Sequence, residues 1–209
     1  AFSNCVAIAT FDTEATELRF ESHIALDHAL ERTPRFRAAK GAKSWPLVYD
    51  AETIPDLEAC MRRQYADGGE IERWALQFVS ARRRTDVLHL LAGMTSAIHE
   101  GFVYSRRLEQ GTKPPAETLA SRSGTCRDFA LLMMEAARAL GLAARFVTGY
   151  IYVPSRDNPT VQGGGATHAW VQVFLPGAGW MEFDPTNGIG GNRDLIRVGV
   201  ARDPHQALP

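Results

Sequence analysis

GTCRDFALLMMEAARAL, residues 124–140, is the stretch that decides the fold. After Arg127 it is apolar on nearly every side, and only three charged residues interrupt it: Asp128, Glu135 and Arg138. A helix that is hydrophobic all round is normally buried in the centre of a domain. Gly141 follows, a residue typical of helix ends. The stretch therefore predicts a central buried helix that begins beside Cys126 and ends near Leu140.

Cys126 lies where this helix begins. The unpaired N–H groups and the positive end of the helix dipole favour a thiolate there, and the same N–H groups can hold an oxyanion. Arg122 and Arg127 add positive charge nearby. Alternatively, Cys126 is a small apolar residue of the core, and its position alone does not decide between the two. Asp128 is interpreted as a first-turn acid favoured by the dipole, or as the partner of an arginine.

A thiol nucleophile needs a base within hydrogen-bond reach and a third group that orients the base. His168 and Asp184 are the candidates, on two predicted strands joined by the hairpin signal Pro-Gly-Ala-Gly at 176–179. A three-residue loop with a bulge would pair Leu175 with Gly179, Phe174 with Trp180, and Trp170 with Asp184. His168 then lies diagonal to Asp184 on the same face, whereas a four-residue loop would place them on opposite faces.

Each of these residues also has a plain structural interpretation. His168 can be a strand histidine bonded to the backbone, and Asp184 can be a turn residue before Pro185. Zinc held by Cys126, His168 and Asp184 is a further alternative, but the sequence has no CxxC or HxxxH pair to clamp the ion. We therefore predict Cys126 as nucleophile, His168 as general base and Asp184 as the orienting acid, with no cofactor.

The remaining pattern predicts an α+β fold. Apolar spacing indicates helices that begin near Ile54, Glu70, Asp86 and Ala116, and strands at 144–153, 168–175 and 180–184. His89 and His99 on the third helix are interpreted as scaffold residues rather than catalytic ones. Partly alternating residues at 5–11 and 18–30 predict two more strands with a polar turn between them. The tail from residue 187 onward shows no clear pattern.

Composition narrows the class of partner. The 209 residues include 23 basic and 24 acidic side chains, so the net charge of -1 argues against nucleic acid and anionic membranes. No apolar run approaches the roughly 20 residues that cross a bilayer. Cys5, Cys60 and Cys126 are far apart and odd in number, which favours a reducing compartment, and we expect a cytoplasmic protein. The chain begins without Met, so processing or trimming is expected and a removed export signal stays open.

Three sequence blocks, in this order, resemble bacterial transglutaminase-like domains, which are often described as cysteine proteases of the papain-like superfamily. The blocks are GTCRDFA (124–130) with ALGLAARFVTGY (139–150), HAWVQV (168–173), and GWMEFDPTNG (179–188). FVY at 102–104 is similar to the segment upstream of the family's nucleophile. The resemblance covers roughly residues 50–190, and the order of the blocks makes it specific.

The resemblance implies a papain-like α+β fold, in which a central helix carries the nucleophile and packs on an antiparallel β-sheet. It transfers the catalytic roles to Cys126, His168 and Asp184. Tyr104 and Thr125 become secondary candidates for the oxyanion side of the cleft, and Tyr104 can equally be a packing residue.

The resemblance also implies a domain organisation. Residues 1–33 would be the last strands of a truncated N-terminal β domain, residues 34–50 a linker, and residues 51–209 the catalytic domain. The polar, glycine-rich loop at 154–167 precedes the candidate base, so substrate specificity is expected to reside there.

Two functions of different class follow from these features. The first is cysteine-dependent acyl transfer on amide or peptide bonds through an acyl-thioester, with a protein or peptide substrate and either water or an amine as acceptor. The second is a non-catalytic binding module that uses the same cleft. The sequence leaves the acceptor, the substrate and the oligomeric state undetermined.

Overall fold

The computed structural model describes residues 2–19, 21, 23–26, 42–107, 110–153, 166–191 and 194–207. The helices are α1 (Ile54–Met61), α2 (Glu70–Leu76), α3 (Val87–Gly101), α4 (Pro115–Ser121), α5 (Cys126–Ala139) and a 3-10 helix (Pro204–Ala207). The strands are β1 (Ser44–Trp45), β2 (Thr85–Asp86), β3 (Val103–Tyr104), β4 (Ser123–Gly124), β5 (Ala144–Ile151), β6 (His168–Leu175), β7 (Gly179–Asp184), β8 (Ile189–Gly190) and β9 (Leu195–Ala201).

A five-stranded antiparallel sheet in the order β8-β7-β6-β5-β9 forms one layer of the fold. Helix α5 packs against its central strands β5 and β6. The main core contains buried side chains from both layers, among them Leu131, Met134, Phe146 and Val171. The predicted α+β architecture, with a central buried helix on an antiparallel sheet, is confirmed.

Two charged residues of α5 are buried and paired. Nη1 of Arg138 donates to Oε1 of Glu135 at 3.0 Å, and Glu135 also accepts the backbone N–H of Gln64 at 3.2 Å. The other N–H groups of the guanidinium donate to the carbonyl groups of Cys60, Ala144 and Arg202. Because a buried charge is tolerated only when it is paired and hydrogen-bonded, this network lets the C-terminal part of α5 carry an ion pair.

The other predicted helices are present, with some changes at their ends. The apolar spacing after Glu70 predicts a helix that runs to about Arg82, but helix α2 ends at Leu76. Helix α3 begins at Val87, and the side chain of Asp86 caps it by accepting the N–H of His89 at 3.0 Å. Helices α2, α3 and α4 pack against α5, and α1 contacts β5, so these helices supply scaffold.

The described part of the predicted linker, residues 42–50, packs into the core. Leu47 and Tyr49 are buried, and β1 pairs with β2. The Tyr49 hydroxyl accepts the N–H of Ala143 at 2.8 Å and donates to the carbonyl of Phe174 at 3.1 Å. Residues 42–50 therefore pack on the domain rather than extending as a linker, because their apolar side chains are buried against the sheet. Residues 34–41 lie outside the described residues.

The strand predicted for residues 5–11 is wrong. The described residues from 2 to 26 carry no strand, and Val6 and Ile8 are largely exposed. Alternation of side chains favours a strand only where a neighbouring strand supplies hydrogen bonds. Instead, the Asn4 side chain contacts the edge strand β9, donating to the carbonyl of Val200 at 2.7 Å and accepting its N–H at 3.0 Å.

The second predicted strand, 18–30, is described only in part, and that part has no strand. The proposed origin of residues 1–33 in a larger β domain and the domain boundaries stay predictions. The tail, which the sequence pattern left unassigned, adds both edge strands of the sheet, β8 and β9. Within the described ranges no helix has the length and apolarity needed to span a membrane, and the cytoplasmic location stays a prediction.

Candidate active site

Helix α5 begins with a complete capping box. Thr125 is its N-cap, and its Oγ1 accepts the N–H of Asp128 at 3.4 Å while Oδ2 of Asp128 accepts the N–H of Thr125 at 2.8 Å. The packing here is close, since a Cβ on Gly124 would lie 2.8 Å from the Cβ of Asp128. The box fixes the first turn of α5 and so fixes Cys126, its first residue.

Asp128 is fully buried and holds neighbouring chain segments in place. Its Oδ1 accepts the backbone N–H of Lys113 at 2.7 Å and Nη2 of Arg107 at 3.2 Å. Both roles considered for it, first-turn acid and arginine partner, are therefore present. The carboxylate of Asp128 points at these donors, so Asp128 supports the structure of the site.

The hairpin of β6 and β7 has the predicted register. Leu175 pairs with Gly179 and Phe174 with Trp180, which confirms the three-residue loop. Gly179 has a φ of 75°, the left-handed conformation that such a loop requires. The same register places Trp170 opposite Asp184 and His168 diagonal to it.

His168, at the start of β6, and Asp184, at the end of β7, meet in the interior. Nε2 of His168 lies 2.8 Å from Oδ2 of Asp184, and both side chains are fully buried. The ring of Trp170 stacks on the imidazole with centroids 6.0 Å apart. Nδ1 is buried, and no described residue lies within the usual distance and angle of a hydrogen bond to it. It is therefore the ring nitrogen that is available to the thiol of Cys126.

The pKa of His168 reflects opposing effects. Burial lowers it, because the charged ring loses its hydration. The hydrogen bond and charge of Asp184, together with the nearby Cys126, outweigh burial and raise the pKa from 6.5 to about 9. The structure therefore brings Cys126, His168 and Asp184 to one place and favours the protonated ring. Their catalytic roles stay predictions.

Asn187 is a part of the site that the sequence analysis missed. Its Nδ2 donates to Oδ2 of Asp184 at 2.8 Å, and its backbone N–H donates to Oδ1 at 3.3 Å. The N–H of Thr186 donates to Oδ1 at 2.9 Å. The Asp-Pro-Thr-Asn sequence itself could have indicated this turn, because an aspartate often accepts a hydrogen bond from a backbone N–H two or three residues later.

His99 supports the same turn from α3. Its Nδ1 lies 2.8 Å from the carbonyl oxygen of Thr186. Gly188 has a φ of 69°, and a Cβ there would lie 2.9 Å from the imidazole of His99. His99 is thus a scaffold residue, as predicted, but one whose contact is with the turn that follows Asp184.

The two secondary candidates occupy different positions. Burial raises the pKa of Tyr104, and the adjacent Cys126 raises it further, which places the phenol beside the thiol. The ring of Tyr104 also packs edge-on against Phe129, so it contacts α5 as well as the cleft. Thr125 uses its side chain for the capping box. An oxyanion role for either residue stays a prediction.

Other predicted features of the site are less fully described. Residues 154–165 of the loop expected to carry specificity lie outside the described residues. Where side chains are described, no group of three or more His, Cys, Asp and Glu could hold a metal ion. The arrangement brings a thiol, an imidazole and a carboxylate together, a set of groups that can carry nucleophilic chemistry.

The chain is similar to known proteins in sequence and in fold. The transglutaminase-like superfamily matches residues 80–185, just over half of the chain. An uncharacterised protein of Mycobacterium tuberculosis is 36% identical over 134 residues, covering 62% of this chain and 42% of its own. A protein-glutamine gamma-glutamyltransferase of Pseudomonas aeruginosa is 27% identical over 198 residues, covering 89% of this chain and 28% of its own. The chain spans less than half the length of these relatives.

A solved structure supports the fold. A protein of Cytophaga hutchinsonii described as a candidate cysteine protease superposes with a TM-score of 0.56 at 24% identity, covering 76% of this chain and 50% of that one. The implied transglutaminase-like fold is thereby confirmed, since the family match spans the helix and hairpin that hold Cys126, His168 and Asp184. The chain belongs to the transglutaminase-like superfamily.

Proposed function

We propose that this protein is a cysteine-dependent acyl-transfer enzyme acting on amide bonds of protein or peptide substrates. The observation that carries the proposal is the buried hydrogen bond of 2.8 Å between His168 and Asp184. The nearby Cys126 also raises the pKa of the His168 imidazole. A relative described as a protein-glutamine gamma-glutamyltransferase and a structural neighbour described as a candidate cysteine protease support cysteine chemistry.

The first half of the reaction forms an acyl-enzyme. Cys126 passes its proton to Nδ1 of His168, and the thiolate attacks the amide carbonyl carbon to form a C–S bond and an oxyanion. When the C–N bond breaks, the imidazolium returns its proton to the departing amine. Asp184 keeps Nε2 protonated and stabilises the positive ring in between.

The second half releases the acyl group. His168 removes a proton from water or from a primary amine, which attacks the thioester carbonyl, and the proton passes to the sulfur of Cys126 as the C–S bond breaks. Water gives hydrolysis and an amine gives a new amide. A peptide-library screen with and without an added primary amine distinguishes the two, because the mass of the acylated product differs.

The oxyanion needs hydrogen-bond donors close to Cys126. The N-terminal N–H groups of α5 are such donors, since the first turn of a helix leaves them unpaired. The Tyr104 hydroxyl, beside the thiol, is the second donor that we assign to this side of the cleft. Replacing Tyr104 by Phe removes this donor and should therefore lower kcat on a validated substrate.

The three cysteines provide an internal test. Cys5 is exposed, Cys60 is buried with its pKa raised by burial, and Cys126 is only 7% exposed. Accessibility alone predicts that iodoacetamide modifies Cys5 first. An activated Cys126 should instead react about tenfold faster than Cys5 at pH 7, because a free thiol is only a few per cent thiolate there. Peptide mass spectrometry at short times measures both rates in one sample.

The matched control is Asp184→Asn. This variant should slow the alkylation of Cys126 and leave that of Cys5 unchanged, since only Cys126 depends on His168. If Cys126 in the unmodified protein reacts no faster than Cys5, the cleft lacks an activated thiol and the binding-module alternative is favoured. Turnover of a validated substrate by Cys126→Ala would also contradict the proposal.

A further inference from the structure

Two N–H donors converge on a single oxygen of Asp184. Nε2 of His168 lies 2.8 Å from Oδ2, and Nδ2 of Asn187 lies 2.8 Å from the same atom. The two donor nitrogens are themselves only 3.5 Å apart. The Asn187 amide therefore stands at the hydrogen bond between the base and its orienting acid.

A second hydrogen bond to Oδ2 weakens the attraction between Oδ2 and His168. Each hydrogen bond to a carboxylate oxygen withdraws part of its negative charge, so the oxygen attracts the imidazolium less strongly. The positively polarised NH2 group of Asn187 also lies 3.5 Å from Nε2, which opposes positive charge on the ring. Both effects favour the neutral form of His168.

The carboxylate does not depend on the Asn187 side chain for its position. Oδ1 of Asp184 accepts the backbone N–H groups of Thr186 at 2.9 Å and of Asn187 at 3.3 Å. Because both donors are backbone groups, these hydrogen bonds do not depend on the side chain at position 187. Removing the amide should therefore change the charge on Oδ2 without releasing Asp184.

Ionisable groups from several elements lie around His168. Asp184 on β7 and Cys126 on α5 act on the ring directly. Tyr104 lies beside Cys126, and Nδ1 of His99 on α3 contacts the Thr186 carbonyl. Within the described chain, Asn187 is the neutral polar side chain that touches both members of the His–Asp pair.

We propose that Asn187 is a positioning residue that limits how strongly Asp184 holds the protonated form of His168. Its catalytic meaning rests on the proposed function, since a base works best when it can both accept and return a proton near the working pH. Without the amide, the imidazolium would hold its proton more firmly and accept the next one from water or amine less readily.

The test is an NMR titration of the His168 imidazole in the full chain, in a Cys126→Ser background. Serine does not ionise in the range of interest, so the titration reports Asp184 and Asn187 alone. Asn187→Leu keeps the branched shape of the side chain and removes the donor, and should raise the His168 pKa by about half a unit, roughly a threefold change in the protonated-to-neutral ratio. Asn187→Asp replaces the donor by a charge and should raise it by about one unit.

The sign of the shift decides the outcome. If Asn187 merely supported the turn, its loss would displace Asp184, and the His168 pKa would fall toward 6.5, as in an Asp184→Asn control. A fall, or no shift, in a cooperatively folded Asn187→Leu protein overturns the inference. Asn187→Ala serves where the leucine variant does not fold. An unreactive Cys126 would contradict the proposed function but would leave this titration unaffected, so the two failures are distinguishable.

Discussion

At the scale of single residues, the decisive feature is a buried pair of ionisable side chains. Asp184 has no exposed surface, and its carboxylate accepts hydrogen bonds from His168, Thr186 and Asn187. Such bonds replace the hydration that a buried carboxylate loses, so the acid can stay charged and hold a charged ring. The cost of burial is thus offset by backbone and amide donors supplied by one short turn.

The pH dependence of stability should report this pair. The pKa of His168 is raised from 6.5 to about 9 on folding, so protonation favours the folded state. The stabilisation is fully present below about pH 6.5 and is lost as the pH rises through about 9. The free energy of unfolding in urea should therefore decrease by on the order of 2–3 kcal/mol over this window.

Asp184→Asn is the control for this prediction. The amide carries no charge and stabilises the imidazolium less, so the variant should be less stable below pH 6.5 and should show a much flatter profile between pH 6.5 and 9. Equal slopes in the two proteins would contradict the assignment of the titration to His168.

At the scale of elements, helix α5 connects the site to the core. Its first turn is fixed by the Thr125–Asp128 capping box, and the same aspartate binds Arg107 and the backbone of Lys113. Its C-terminal part is held by the buried pair of Glu135 and Arg138. The position of Cys126 is therefore set by hydrogen bonds at the helix N-terminus and by packing along its length.

Loss of the cap should affect both stability and the thiol. Thr125→Ala removes the oxygen that accepts the N–H of Asp128, and we expect about 1–2 kcal/mol lower stability in urea unfolding. Fraying of the first turn should also slow the alkylation of Cys126. Thr125→Ser keeps the hydroxyl and should behave like the unmodified protein. An alanine variant of unchanged stability would show that Asp128 alone holds the turn.

At the scale of the whole molecule, segments from distant parts of the chain close around the sheet. The Tyr49 hydroxyl bridges Ala143 before β5 and Phe174 on β6. Arg138 joins the carbonyl groups of Cys60, Ala144 and Arg202, which belong to α1, β5 and the tail. These long-range bonds join the segment before α1, helix α1 and the tail to the sheet and to α5.

Tyr49→Phe tests whether the segment before α1 stabilises the domain. Without the hydroxyl, the N–H of Ala143 and the carbonyl of Phe174 lose a buried partner, and we expect roughly 1–3 kcal/mol lower stability. Tyr152→Phe is the matched control, since Tyr152 is 54% exposed and its loss of a hydroxyl should be neutral. If Tyr49→Phe and Tyr152→Phe unfold at the same urea concentration, the segment does not contribute.

The sequence by itself determined the features that depend on neighbours along the chain. The apolar run of α5 predicted a buried helix, and its Gly-Thr-Cys start predicted where the thiol would lie. The loop at 176–178 predicted the register of the hairpin, because loop length sets which side chains share a face. Local geometry was therefore sufficient to place His168 beside Asp184.

Only the tertiary structure decided the features that depend on distant partners. Asn187 and His99 join the site because the turn after β7 meets both Asp184 and helix α3. The tail forms the edge strands β8 and β9, whereas residues 5–11, with the more strand-like pattern, form none. A strand and a hydrogen-bonded carboxylate both need a partner supplied by the fold, and a side-chain pattern along the chain does not specify that partner.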